Sequence, residues 1–152
     1  MATLLEQSEN LKKLDAKTIE QQIFKALKEA EATVLKANIE QLDKGDDSEG
    51  NLVGVYAKAT EGYAKLEPIP NKPKKEGAPY NFDWTSEFLK GFTLSVSGTE
   101  ATISSTGVGS GGKRDFLTSN NLFGLNDDNL NTIIQKDILP FINSFARKTL
   151  NI

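Results

Sequence analysis

Apolar and polar side chains alternate from Gly91 to Ser104 with a period close to two, which is typical of a strand with one buried face. The alternation lies within a segment, Glu87 to Ser105, that predicts an outgoing strand, a tight turn at Gly98-Thr99 and a returning strand. A hairpin alone is only marginally stable, so another apolar surface of the chain must cover its apolar face.

Two segments elsewhere carry apolar residues at helical spacing. In the first, Thr18 and Gln21 form a capping-box pattern that predicts the start of a helix. The apolar stripe of this helix runs to about Leu42, and Gly45 is expected to end it. The residues before it, 1–17, are polar and weakly helical, and they predict an arm or a short helix.

The second helical segment lies near the C-terminal end. Asn126 has the side chain of an N-cap, and apolar residues recur at helical spacing from Leu130 to Phe145. Pro140 interrupts this pattern, so we expect a kink or a break between Asp137 and Leu139. Together with the first helix, this stripe is expected to cover the apolar face of the hairpin.

The fold class that these patterns predict is α+β, with a small, mainly antiparallel sheet packed against a long N-terminal helix and a C-terminal helix. A chain of 152 residues is long enough to bury a hydrophobic core without disulfides or metals. We expect residues 18–152 to form a single domain with an extended loop at about 65–80. A short apolar run, Leu52 to Tyr56, predicts a further strand.

The loop at 65–80 contains four prolines, which exclude a regular helix and disfavour a central strand. Lys72, Lys74 and Lys75 lie in this loop, and Trp84, the only tryptophan, follows it. The three lysines are the candidate contacts for an acidic partner or for nucleic-acid phosphates, and Trp84 is a further candidate partner contact. The alternative is a solvated, mobile charge run beside a tryptophan that packs at the edge of the core.

Composition narrows the chemistry available to the chain. It has no histidine and no cysteine, which removes the commonest general base, the commonest transition-metal ligand and every thiolate. The net charge of -3 disfavours a general nucleic-acid binder with a basic surface. No segment approaches the roughly 20 apolar residues that span a bilayer. We therefore expect a protein of a cytoplasm without membrane contact. Any hydrolase would have to work with carboxylates, lysine or tyrosine alone, and we expect no catalytic residues, cofactor or metal.

Two loops have sequences that partly resemble ligand-binding motifs. The acidic loop 43–50 lacks the ligand order of an EF-hand, so a solvated turn is the preferred interpretation. Gly107, Gly112 and Lys113 match a phosphate-binding loop, but Arg114 stands where the motif needs a hydroxyl, and the preceding strand belongs to an antiparallel hairpin. We interpret this segment as a flexible connection. Lys113 and Arg114 remain candidate partner contacts.

Three blocks of sequence carry a family resemblance through their order. The first is Gln41-Leu42 followed by Gly45, Asp47, Gly50, Tyr56 and Thr60; the second is Phe88 with Phe92; the third is Leu122-Phe123-Gly124-Leu125-Asn126. From about residue 35 to its end, the chain resembles the small tail-completion or head-to-tail connector proteins of tailed bacteriophages, also called virion-morphogenesis proteins. Members of that family often carry Thr-Gly where this chain has Thr85-Ser86.

The resemblance implies a non-enzymatic structural protein of the virion, assembled in the cytoplasm of the bacterial host. Its subunits would form a homo-oligomeric ring at the neck, between the DNA-filled head and the tail, with long loops and terminal arms bridging neighbours. The implied partners are other copies of the chain, neighbouring neck and tail proteins, and DNA in the channel as a passive contact. No residue of the three blocks is implied to be catalytic.

Two other functions stay open at this point. One is a nucleotide-binding enzyme that uses the Gly107–Lys113 loop, and it depends on that glycine-rich segment alone. The other is a non-enzymatic adaptor or regulator that binds a protein partner through the loop at 65–80.

Overall fold

The computed structural model of the protein describes residues 3–66, 69–107 and 121–152. Its elements are α1 (Leu4–Lys12), α2 (Ala16–Glu29), α3 (Glu31–Asp43), α4 (Lys58–Tyr63), α5 (Glu87–Lys90), β1 (Phe92–Ser97), β2 (Glu100–Ser105), α6 (Asp127–Ile133), a π-helical segment (Ile134–Ile138) and α7 (Leu139–Leu150). The sheet in this part of the chain is the antiparallel pair of β1 and β2. The predicted α+β class, a small antiparallel sheet packed against helices, is confirmed.

The hairpin is present with the predicted turn. β1 and β2 pair in a register that places Leu94 opposite Ile103, and Gly98 at the turn has a φ of +61°. The outgoing strand is shorter than predicted, because residues Glu87–Lys90 form the helical turn α5 instead. Two adjacent apolar residues there break the period of two, and the helical turn buries Phe88 in the core.

The predicted helix from Thr18 to Leu42 is wrong at its start and in its continuity. It begins at Ala16, because Asp15 is the N-cap and its carboxylate accepts the Thr18 backbone N–H at 2.7 Å. It is interrupted at Ala30, where α2 ends and α3 begins. No proline or glycine stands at this bend, and both helices contribute to one buried apolar cluster. Packing rather than a local breaker residue therefore accounts for the bend.

The N-terminal arm contains a short helix. Thr3 and Glu6 form a capping box at the start of α1, and α1 packs against the last helix, α7. The helix buries none of its own residues, and its leucines Leu4 and Leu11 are exposed. It therefore adds exposed apolar surface rather than core.

The C-terminal helical segment begins as predicted and changes form before its proline. The Asn126 side chain accepts the Asn129 backbone N–H at 3.0 Å and caps α6. The chain then takes the wider π-helical form at Ile134–Ile138 and returns to α-helix in α7, whose second residue is Pro140. Because proline lacks an N–H and its ring crowds the preceding turn, the α-helical ladder cannot continue through it. The predicted kink or break takes the form of this π-helical segment.

Two apolar clusters join the hairpin to the helices. The first holds Leu94 between the early and the late helices; its buried members are Ala26, Ala30, Val34, Leu94, Ile133 and Ile138. The second holds Phe92; its buried members are Leu42, Phe88, Phe92 and Leu122. Burying one large apolar side chain contributes roughly 1.5–3 kcal/mol. The prediction that early and late helices together cover the hairpin face is confirmed.

The stretch from Leu52 to Tyr56 does not form the predicted strand. It makes isolated bridges only, to Asp46 and to Pro79. Gly54 allows a close approach here, since a Cβ at this position would stand 2.7 Å from the Tyr80 ring. The stretch therefore lies against the end of the proline-rich loop and does not extend the hairpin.

Candidate functional site

Residues from the first and the third of the blocks that carry the family resemblance come together around two buried amides, whereas Tyr56 and Thr60 lie elsewhere. Gln41, in α3, is 2% exposed, and both the nitrogen and the oxygen of its side-chain amide make hydrogen bonds. Its Nε2 donates to the carbonyl oxygens of Asp47 at 2.8 Å and Gly124 at 3.2 Å. Its Oε1 accepts the backbone N–H of Asn126 at 2.9 Å and the side-chain amide of Asn129 at 3.1 Å. Gln41 thus ties the first block to the third.

Asn38, one turn before Gln41 in α3, makes similar hydrogen bonds to the third block. Its Nδ2 donates to the Leu122 carbonyl oxygen at 3.0 Å, and its Oδ1 accepts the Gly124 N–H at 3.4 Å. The sequence analysis missed Asn38. The signal that could have found it is spacing, because amides three positions apart lie on one helix face, here a face that is otherwise apolar.

Leucine and aromatic side chains complete the contact among the blocks. Leu42 and Leu122 are fully buried in one cluster with Phe88 and Phe92. The Phe88 and Phe92 ring centroids lie 5.3 Å apart, and the Phe123 centroid lies 6.0 Å and 5.6 Å from them. We call this packed set, with Gln41, the three-block unit. Because it consists of satisfied amides and apolar side chains, its role is structural.

Gly107 has a packing role at the end of the hairpin. A Cβ at this position would overlap the backbone of Glu87, so only glycine fits. Its N–H donates to Ser105 Oγ at 3.1 Å, which fixes the chain as it leaves β2. The rest of the glycine-rich segment lies outside the described residues, including Lys113 and Arg114.

The candidate contacts of the proline-rich loop lie around a buried lysine. Lys74 is 3% exposed, and its Nζ donates to Asn81 Oδ1 and, at 2.8 Å, to the Asp83 carbonyl oxygen. The same Nζ lies 5.3 Å from the Tyr56 ring centroid and 5.9 Å from the Trp84 ring centroid. We call the four residues around this amine the Lys74 cage: Tyr56, Asn81, Asp83 and Trp84.

Burial lowers the pKa of Lys74 from its usual value of 10.5 to about 8. The Asp83 carboxylate opposes this shift, and the Lys72 charge adds to it. No carboxylate in the described part of the chain forms an ion pair with the Lys74 amine. The charge is therefore held by neutral oxygens and aromatic faces rather than by a direct counter-ion.

A hydrogen-bond network fixes the cage. The Tyr56 hydroxyl donates to Asn81 Oδ1 and accepts the Asn81 backbone N–H, each at 3.1 Å. The Asp83 carboxylate accepts from Ser86 Oγ at 2.8 Å and from Asn71 Nδ2 at 3.3 Å. Burial raises the pKa of Tyr56, so its hydroxyl stays a neutral donor over a wide pH range.

The predicted partner contacts differ in their burial and pairing in the structure. Lys72 forms a partly exposed ion pair with Asp43, whereas Lys74 is enclosed, so the interpretation of a solvated charge run does not fit Lys74. The prediction that the Lys74 amine contacts a partner at the surface is wrong, because the oxygens that accept its hydrogen bonds lie inside the fold. Lys75 is exposed, and Trp84 is partly buried. Nothing in the sequence separates Lys74 from Lys75, because the cage forms only when the chain folds back on itself and brings Tyr56 to the segment from Asn81 to Trp84.

No protein-family model, no curated protein and no solved structure matches this chain. Among the described residues, no helix combines the length and the apolar character that a bilayer crossing needs. The same ranges contain no group of three or more acidic side chains placed to hold a metal ion. What can be said of function rests on the three-block unit, the exposed surfaces and the Lys74 cage.

Proposed function

We propose that the protein is a structural subunit of a tailed-phage virion, placed in a ring at the head-to-tail connection. The observation that carries the proposal is the three-block unit. Its residues are distant along the chain, yet they form one set of buried contacts centred on Gln41. Side chains that pack on one another constrain one another's identity. A resemblance carried by such a set is stronger than one carried by unrelated positions.

The backbone at Ser86 supports the same proposal. Ser86 has a φ of +63°, in the left-handed region that glycine adopts without strain. Connector-family members often carry glycine there, in a Thr-Gly pair. The chain therefore keeps the conformation that the family residue favours, although the residue differs. The Ser86 hydroxyl makes hydrogen bonds with Asp83 and Asn71 that offset part of the strain.

A ring subunit needs surfaces that bind its neighbours, and the described surface of this protein includes exposed apolar residues. Leu4 and Leu5 in α1 are 87% and 72% exposed. In the described sheet β2 pairs only with β1, which leaves its outer edge open to another strand. A closed ring repeats each contact around its axis, so modest contacts suffice. The partners that fit this role are other copies of the chain and neighbouring neck and tail proteins, with channel DNA as a passive contact.

The test of the proposal is the assembly state of the full chain and its presence in particles. We expect native mass spectrometry and negative-stain images to give a closed ring, and we expect the protein to co-purify with phage particles. Leu4→Glu should weaken the ring, whereas Lys12→Ala, also exposed on α1, should not. A strict monomer that is also absent from particles would sink the proposal.

The adaptor alternative has one observation in its favour. Tyr63 precedes the proline-rich loop, Leu66 and Ile69 lie within it, and all three are exposed apolar residues of the kind that contact protein partners. Ile69→Asp should abolish capture of a dedicated partner and leave the assembly state of the chain unchanged. If the variant instead dissociates a ring, these residues belong to the subunit interface.

One of the glycines that suggested a nucleotide-binding loop has a packing explanation. Gly107 is required by its contact with Glu87, which is a packing reason that needs no phosphate. Thermal shift with ATP or GTP and magnesium is the direct check. Stabilisation that disappears in Lys113→Ala would restore this alternative and contradict the structural proposal.

A further inference from the structure

The Lys74 cage is not explained by a role in a ring. Lys74 lies on the segment 69–75, which we call the strap. Two hydrogen bonds tie the strap to the cage just before the lysine: the Asn71 N–H donates to the Trp84 carbonyl oxygen at 2.8 Å, and the Asn81 side-chain amide donates to the Pro73 carbonyl oxygen at 3.2 Å. Directly after these ties, the Lys74 side chain carries its amine into the fold.

The surroundings of the amine match the hydrogen-bonding groups of a primary amine, although burial disfavours its charged form. Two neutral oxygens, from Asn81 and the Asp83 backbone, accept its N–H groups. The rings of Tyr56 and Trp84 lie within the 6 Å over which a cation is attracted to an aromatic face. A quaternary ammonium lacks the N–H donors that the oxygens need. A guanidinium is planar and larger, with donors fixed in a fork.

We propose that the cage is a binding site for a primary alkylamine, which Lys74 occupies in cis, and that this occupancy holds the strap closed. A surface groove lined in part by Ile69, Pro73 and Lys75 runs along the strap and reaches Lys74. Removing the Lys74 side chain would connect this groove to the cage, because Lys74 lines the groove and its amine lies in the cage, and an external primary amine would enter by that path. Recognition then uses the same two oxygens and two rings.

The experiment uses the full chain carrying Lys74→Ala and reads the fluorescence of Trp84. Because Trp84 is the only tryptophan, its emission reports on the cage alone. We expect the emission of the variant to shift to the red relative to the parent protein. Methylammonium chloride should reverse the shift, with a Kd of about 10 mM or weaker, the limit for a ligand of two heavy atoms.

Two salts and one variant serve as controls. Sodium chloride at equal concentration matches the ionic strength, and tetramethylammonium chloride matches the charge without N–H donors. Reversal by methylammonium alone supports the proposal; no reversal, or equal reversal by all three salts, overturns it. Lys75→Ala removes the exposed neighbouring charge. The Trp84 emission of this variant should equal that of the parent protein, and none of the three salts should change it.

A second variant and a second measurement cover the case in which Lys74→Ala does not fold. Lys74→Met keeps the length of the side chain and loses only the ammonium group, so it should fold with an altered Trp84 emission. In the unsubstituted protein at about pH 10.5, near the ordinary pKa of lysine, where differences in protonation are small, an amine-acetylating reagent should modify Lys75 roughly tenfold faster than Lys74, as peptide mass spectrometry would show. Equal rates would overturn the proposal, because the Lys74 amine would then not be held in the cage.

Discussion

Gln41 Oε1 accepts the backbone N–H of Asn126 at 2.9 Å, while the Asn126 side chain caps α6. This bond links the last turn of α3 to the start of the C-terminal helical segment. Both residues belong to blocks that carry the family resemblance, and they are brought together only in the folded chain. Because Gln41 is buried, loss of its side chain leaves several backbone groups without partners.

Gln41→Ala should therefore destabilise the protein by about 2–4 kcal/mol, the range for breaking a buried hydrogen-bond network. Urea unfolding should show a lower midpoint with an unchanged slope. Glu40→Ala is the matched control on the same helix, because Glu40 is exposed and makes only a surface ion pair with Lys36. A Gln41→Ala midpoint equal to that of Glu40→Ala would contradict the structural role of Gln41.

Ser86→Gly and Ser86→Ala separate backbone strain from hydrogen bonding. Both variants lose the hydroxyl, but only alanine keeps a side chain at the left-handed φ of +63°. We expect Ser86→Gly to be more stable than Ser86→Ala by about 1 kcal/mol in urea unfolding. At the exposed neighbour Thr85, which does not have a positive φ, the order should reverse, with alanine more stable than glycine. The same order at both positions would mean that Ser86 is not strained.

Stability should rise with pH between about 8 and 10.5 because of Lys74. Its pKa is about 8 in the folded protein against 10.5 for the free side chain, so the folded state releases its proton first. Below pH 8 the fold carries a buried charge. The resulting penalty, at most about 3 kcal/mol, disappears as the pH rises through this window. The charged groups that act on the amine are Asp83, Lys72 and Asp43.

Denaturant unfolding of the parent protein and of Lys74→Met across this window measures the effect as a difference. The difference removes ionisable groups that lie away from Lys74. Tyr56 contacts the Lys74 amine, but because burial raises its pKa above the ordinary value of 10.0, its titration lowers the stability only at the alkaline end of the window. We expect the parent protein to gain stability relative to the variant as the pH rises. A difference that is flat from about pH 7 to 10 would mean that the Lys74 pKa is not lowered in the fold.

Spacing within short windows accounts for what could be predicted from this sequence. The alternation around Leu94 and the cap at Asn126 depend on neighbours a few positions away, and the structure has both. The bend at Ala30 could not be predicted, since alanine is the best helix former and the bend follows from packing of both helices into one cluster. Burial of Lys74 could not be predicted either, because its cage includes Tyr56 from a distant segment.

Gly107→Ala should destabilise the protein by about 2 kcal/mol or more, whereas Gly62→Ala should stabilise it by about 0.5–1 kcal/mol. At Gly107 the new methyl group would overlap the Glu87 backbone, which cannot move without disturbing α5 and the buried Phe88. At Gly62, in α4, a Cβ meets nothing within 4 Å, so alanine only restricts the unfolded chain. The two substitutions are chemically identical, so opposite shifts of the urea midpoint would locate the difference in the contact with Glu87. If Gly107→Ala unfolded at the same midpoint as the parent protein, the glycine would not be needed for packing, and a ligand-binding role for its loop would again have to explain it.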